Sequence, residues 1–225
     1  MNNYQPAKTL FSLTKQTDLA ALSFREEGHV YTFKGAVIPS VTQVVDSFVD
    51  FNHVPRDVLE RARQRGNLVH QLTARWDLTP WPVGDPLDIY IRDAGLAGYM
   101  NGWLQFCADF KFQCVAAEQR CYHRKYRYAG TYDRECYLNG LTGIEDLSVL
   151  DIKSGEYTPE YAWQTAAYMH AINDGRMGNK VKRRYVVQVT DRGTYKVTEH
   201  KDPADFDAFI GALSVMNWRK RYGRA

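Results

Sequence analysis

Apolar positions along this chain repeat at two periods, and the architecture it predicts changes where the period changes. Between Leu22 and Val45 (LSFREEGHVYTFKGAVIPSVTQVV), short β-rich runs are separated by the turn-forming pairs Glu27-Gly28 and Lys34-Gly35, and Pro39-Ser40 then offers a cap for a short helix. Val58, Ala62, Gly66, Val69, Thr73 and Trp76 recur at the spacing of one helix face, opening near Pro55. A second long helix is expected from about Asp88 to Phe110, where Ile89, Leu96, Tyr99, Trp103 and Phe110 mark one face despite three glycines.

After residue 110 the pattern becomes strand-like. Phe112 to Tyr122 and Tyr126 to Leu138 read as two strands joined by the basic turn His123-Arg124-Lys125, and Leu147 to Lys153 reads as a third. Val149-Leu150 ahead of Asp151 leaves no polar face, which predicts a central strand covered on both sides. Thr158-Pro159 predicts a capped helix running to about Asn173. Val181 to Thr190 and Tyr195 to Glu199 read as two more strands, and a closing helix is expected from about Pro203 to Arg221. This order predicts an α/β fold with a central mixed sheet flanked by helices and an N-terminal β-hairpin and helical elaboration.

Composition narrows the class. A chain of 225 residues with 44% hydrophobic and 24% charged positions is long enough to bury a core, which excludes disorder and fibre. With no low-complexity linker or repeat, a single domain is expected. Its parts are a hairpin and short helix over about 1–55, a helical region over about 56–110, and a sheet with flanking helices over about 111–225. No apolar stretch approaches the ~18 residues of a membrane span, and MNNYQPAKTLFSL lacks the regions of a signal peptide, so a soluble, cytoplasmic protein with no membrane partner is expected. The net charge of +3 is too small to indicate a polyanionic partner by itself. Basic residues do cluster, among them Arg124, Lys125 and Arg127.

The chemistry is carried by carboxylates and one lysine at strand ends. Asp151 and Lys153 are two apart on the expected central strand, so both leave one face while Ile152 turns to the other. Asp133 lies on the preceding strand and Glu118 on the one before, so adjacent strands can present Glu118, Asp133 and Asp151 together. Carboxylates held together resist ionisation unless a cation is present, which points to Mg²⁺ or Mn²⁺. A nearby ammonium suits phosphodiester hydrolysis, where charge develops on the phosphoryl oxygens. The pattern [D/E]-x-K occurs three times, but Asp109-Phe110-Lys111 sits at a helix end and Glu199-His200-Lys201 closes a late strand. Only Asp151-Ile152-Lys153 follows a carboxylate-bearing hairpin.

Taken in order, Gly66-Asn67-Leu68-Val69-His70, Glu118, Gly130-Thr131-Tyr132-Asp133, Val149-Leu150-Asp151-Ile152-Lys153, and Gln164 followed by Tyr168 resemble the PD-(D/E)XK nucleases. Within that superfamily the series is similar to the RecB-like and phage-type exonuclease branch, over about residues 29–190. The resemblance implies a restriction-endonuclease-like core in which His70, Asp133, Asp151 and the Ile152 carbonyl ligate metal, with Lys153 as the catalytic lysine. It makes Glu118 the acidic residue before the hairpin turn, and Gln164 and Tyr168 the Q-x-x-x-Y pair that helps hold the active site and the DNA backbone, with Tyr161 close by. The proline of the superfamily's name is absent, and the later acid is Asp151 rather than glutamate; the branch tolerates both. Some relatives bind an iron-sulfur cluster through one early cysteine and three near the C-terminus, whereas here Cys136 is the last of the four cysteines, so no cluster is expected.

The expected function is a metal-dependent deoxyribonuclease, an exonuclease preferring linear DNA ends in recombination, repair or end processing in a bacterial or phage-infected cell. Arg124, Lys125 and Arg127 are expected to contact the DNA backbone. Two other readings share these residues: a nucleic-acid-binding module with little catalysis, and a restriction-type endonuclease. Intact Asp133, Asp151 and Lys153 weigh against the first, and His70 with Gln164 and Tyr168 against the second.

Overall fold

The computed structural model describes residues 17–49, 54–82, 84–140 and 146–223. The stretch MNNYQPAKTLFSL at the N-terminus lies outside these residues. Three short strands, β1 (Leu22–Arg25), β2 (Val30–Phe33) and β3 (Ala36–Ile38), form an antiparallel sheet around the two expected glycine turns. Ser40 then caps α1 (Val41–Asp46) through a reciprocal capping box with Gln43.

The helix α2 (Arg56–Leu78) starts after Pro55, as the spacing predicts. The long helix expected over 88–110 is instead two, α3 (Pro86–Asp93) and α4 (Ala97–Asp109). Gly95 takes a φ of +70° between them, which a continuing right-handed helix excludes, and Leu96 turns into the core.

A five-stranded sheet follows: β4 (Phe112–His123), β5 (Tyr128–Leu138), β6 (Ser148–Lys153), β7 (Arg183–Val189) and β8 (Tyr195–His200), side by side in that order. Only β6 and β7 are parallel, so the chain crosses between them through α5 (Tyr161–Asn173). That helix begins after Glu160 and not at Thr158, whose hydroxyl does not cap it. The closing helix is α6 (Ala204–Arg221). The result is the expected mixed α/β architecture, with β6 central.

The two faces of β6 separate two cores. Leu150 and Ile152 pack with Val69, Leu72, Trp103 and Phe106 from α2 and α4. Val149 packs on the other side with Ala167, Tyr168 and Phe209 from α5 and α6. Alternation along the strand therefore sends Asp151 and Lys153 to the α5 side. The small N-terminal sheet packs through Tyr31 and Ile38 against Tyr122 and Ala129 at the turn end of the β4–β5 hairpin, and the Tyr31 hydroxyl lies 2.7 Å from Thr131 Oγ1.

Candidate active site

The site forms where β5 and β6 part. Their pairing runs Cys136↔Ser148, Glu135↔Val149, Arg134↔Leu150 and then stops. One step beyond, where the ladder would pair Asp133 with Asp151, the Asp133 side chain takes over. Its Oδ2 accepts the Ile152 N–H at 2.6 Å, satisfying a buried donor that the parted strands leave without a ladder partner. Beyond that point the hairpin end of β5 leans on the N-terminal sheet.

On the β4 side Glu118 lies opposite Asp133, between the register pairs Ala117↔Arg134 and Gln119↔Tyr132. Its φ is +50°, left-handed and costly for a side chain with a Cβ, by roughly 1–2 kcal/mol. His70 arrives from α2 and places Nδ1 3.0 Å from Asp133 Oδ1 and 4.0 Å from Glu118 Oε1. Ligand atoms of His70, Glu118 and Asp133 all lie within 4.8 Å of one another. One imidazole and two carboxylates suit a first-row divalent ion.

Asp151 and Lys153 form the other half. Lys153 Nζ is 2.7 Å from Asp151 Oδ2, donates to Gln164 Oε1 at 3.0 Å, and stands 4.6 Å from the centre of the Tyr161 ring. Gln164 Nε2 donates in turn to the Tyr168 hydroxyl at 3.1 Å. Gln164 and Tyr168 are buried, so this pair braces the lysine from α5. Asp151 is not one of the three converging groups: its Oδ2 faces the Lys153 ammonium as an ion pair but is buried without hydrogen-bond geometry, the state of an oxygen that a cation could still take up; the Ile152 side chain is core, and its N–H belongs to Asp133.

Burial and charge set the protonation states. Burial pushes the Glu118 carboxyl up to about 7, with the Asp133 charge adding to it. Burial also raises Asp151 to about 6 against the pull of Lys153. Asp133 goes the other way: burial opposes its charge, but His70 outweighs that and holds it below the ordinary carboxylate range. Burial disfavours both His70 and Lys153 as cations, yet Asp133 keeps the first and Asp151 the second above their ordinary values. Near neutral pH, two carboxylates thus sit close to protonation beside one that is fully ionised. A divalent ion would reverse that preference.

The turn residues stand elsewhere. Arg127 stands in the turn just before β5, six positions from Asp133, about 20 Å at the rise of a strand. The Arg124 N–H donates to the Asp174 carboxylate at 2.6 Å with its guanidinium alongside, and Lys125 lies over the Tyr126 ring.

Beneath the site lies a residue the sequence reading passed over. Arg134, fully buried, donates to Asp77 Oδ2 at 2.6 Å, Thr73 Oγ1 at 2.9 Å, Glu118 Oε1 at 3.2 Å and the Asp133 carbonyl at 2.7 Å. The signal was present in two places: a polar stripe His70, Thr73, Asp77 at i, i+3, i+7 on an amphipathic helix, and a charge on a strand face otherwise apolar.

No protein-family profile and no curated protein matches the chain. Among solved structures it is similar to a candidate exonuclease from Eubacterium rectale, at 11% identity and a TM-score of 0.41 over 72% of this chain and 69% of that one. It is also similar to the alkaline exonuclease of Laribacter hongkongensis, at 13% identity and a TM-score of 0.38 over 82% of this chain and 92% of that one.

Proposed function

We propose that the chain is a divalent-metal-dependent deoxyribonuclease of the PD-(D/E)XK superfamily, in its RecB-like and phage-type branch, degrading linear DNA from its ends. One juxtaposition carries the reading. Where β5 and β6 part, Asp133 and Asp151 are flanked on one side by His70 and Glu118 and on the other by the half-buried Lys153 ammonium.

Mg²⁺ or Mn²⁺ held by His70, Glu118 and Asp133, with Asp151 and the Ile152 carbonyl as the further ligands that the resemblance implies, would supply Lewis acidity to the phosphodiester. Lys153 keeps its proton because Asp151 and Asp133 face it, and so offers a fixed positive charge to the negative charge that develops on the phosphoryl oxygens. Gln164 holds the ammonium from the α5 side and Tyr168 holds Gln164, so the charge is in place before the substrate arrives. Arg124, Lys125 and Arg127, at the hairpin tip, are assigned to the DNA backbone some distance from the reacting phosphate. Recombination, repair or end processing is the setting such an activity serves.

The test is end-labelled single-stranded, duplex and covalently closed circular DNA, incubated with Mg²⁺, Mn²⁺ or chelator. Linear DNA should shorten from a terminus only with metal, and circles should persist. Cutting in chelator would overturn the metal dependence. Rapid internal cutting of circles, lost in Lys153→Ala, would make the chain an endonuclease. Binding without any cleavage would leave a nucleic-acid-binding module.

A further inference from the structure

Arg134 takes no part in the chemistry proposed above and yet touches every element that builds the metal-ready group. Its Nε and Nη2 hold Asp77 and Thr73 on α2. The same Thr73 hydroxyl donates to the carbonyls of Val69 and His70, so the grip of Arg134 reaches the turn of helix that carries the imidazole. Its Nη1 holds Glu118 on β4 and the Asp133 carbonyl on β5. Asp77 is itself fixed by the Trp103 indole N–H at 3.0 Å, and the guanidinium lies 5.6 Å from the centre of that ring. A planar fork with five donors serves all four acceptors on the three elements in one fixed geometry; an ammonium has three donors on a single atom and leaves at least one acceptor unserved.

We propose that Arg134 is the positioning residue of this site. It fixes the phase of α2 so that His70 meets Asp133, and it holds Glu118 in its left-handed backbone conformation so that the three ligand atoms converge before any ion binds. The proposal rests on the metal reading of the His70, Glu118 and Asp133 group. It predicts that ion affinity depends on a residue that is not itself a ligand.

The experiment measures Mn²⁺ affinity by calorimetry and the His70 ring signals by NMR in the ion-free protein, for the unaltered chain, Arg134→Lys, and the paired variant Asp77→Asn with Arg134→Gln. The paired variant removes both buried charges together, so no lone charge is left in the core. Far-UV circular dichroism establishes folding. In folded Arg134→Lys the Mn²⁺ dissociation constant should rise at least tenfold and the His70 signals should move. Adding Glu118→Gln should weaken Mn²⁺ strongly in the unaltered chain and little in either Arg134 variant, because Glu118 is already released there. Unchanged affinity in a folded variant, or an equal effect of Glu118→Gln in both backgrounds, would overturn the inference while leaving the metal reading intact. If the unaltered chain binds no Mn²⁺, the metal reading fails, and the ion-free His70 signals then decide alone: no change in Arg134→Lys overturns the positioning role. Should Arg134→Lys not fold, the paired variant supplies the same comparisons.

Discussion

Replacing Lys153 by methionine keeps most of the buried stem and removes the ammonium, which separates the stability of the site from its chemistry. The loss leaves Asp151, almost wholly buried, without the cation 2.7 Å away and without compensation in the ion-free protein. Stranding one partner of a buried pair costs about 3–5 kcal/mol when the survivor must stay charged. Asp151 has an escape, because it already sits at about 6 and can take a proton. Each pH unit above that value adds about 1.4 kcal/mol to the protonation route. The sign follows from linkage. A carboxyl raised above its unfolded value holds a proton that the unfolded chain releases, so folding weakens as pH rises until the folded pKa is passed. In the unaltered chain this loss is tailing off at pH 6 and ends about one unit above it, whereas in Lys153→Met it continues upward. Urea denaturation in chelator should show a deficit near zero at pH 6, about 1 kcal/mol at pH 7 and about 3 kcal/mol at pH 8. Single-turnover cleavage at saturating DNA should fall by roughly 10²–10³, the scale for losing one fixed charge or donor aimed at developing charge. A stability deficit that is flat from pH 6 to 8 would refute the protonation argument. A drop in DNA affinity with turnover unchanged would refute the assignment of Lys153 to the chemistry.

His70→Ala should weaken Mn²⁺ binding more than Mg²⁺ binding, since imidazole suits the former; calorimetry showing equal losses would make the histidine structural. Gly130→Ala puts a Cβ 2.7 Å from Tyr168 Cε1 and 3.1 Å from Val41 Cγ2, so it should cost about 1–3 kcal/mol in urea denaturation and slow cleavage by shifting the brace on Gln164 and Lys153. Wild-type stability in Gly130→Ala would show that the contact relaxes freely. His200 is held below its ordinary 6.5 by burial, with hydrogen bonds to Thr165 and Tyr157 at 3.0 Å. Its contribution is complete above pH 6.5 and is lost as pH falls through the folded value, because the unfolded chain then takes up a proton that the folded one refuses. The stability difference between the unaltered chain and His200→Asn should therefore shrink from pH 7.5 to pH 5.5, and a difference that grows would reverse the assignment. Neutralising Arg124, Lys125 and Arg127 together should weaken DNA binding and flatten its dependence on salt, leaving the rate at saturation unchanged; a fluorescence-anisotropy titration with an unaltered salt slope would remove them from the DNA path.

What the sequence determined by itself is local. Two-residue alternation sends Asp151 and Lys153 to one face and Ile152 to the other, whatever packs against them. Pro39-Ser40 caps α1 because the Ser40 hydroxyl and the Gln43 amide are close in any chain that turns there. The apolar Val149-Leu150 run marks β6 as covered on both faces. Even here the local signals have a range. Gly95 was visible, but whether it interrupts a helix or rides within one depends on where Leu96 finds its core, and Thr158 resembles a cap although α5 starts later. What only the tertiary structure decided is which charges meet. The point where β5 and β6 part turns Asp133 from a ladder residue into the acceptor of the Ile152 N–H. The left-handed turn at Glu118 and the phase of α2 bring an imidazole and two carboxylates from three separate elements within reach of one ion. Arg134, one residue from an expected ligand, reads in sequence as an ordinary strand charge, and only burial against Asp77, Thr73 and Glu118 shows what it holds. The reason is physical. Alternation and capping follow from covalent geometry over a few residues, whereas register, strand parting and the pairing of buried charges are set by the packing of distant elements.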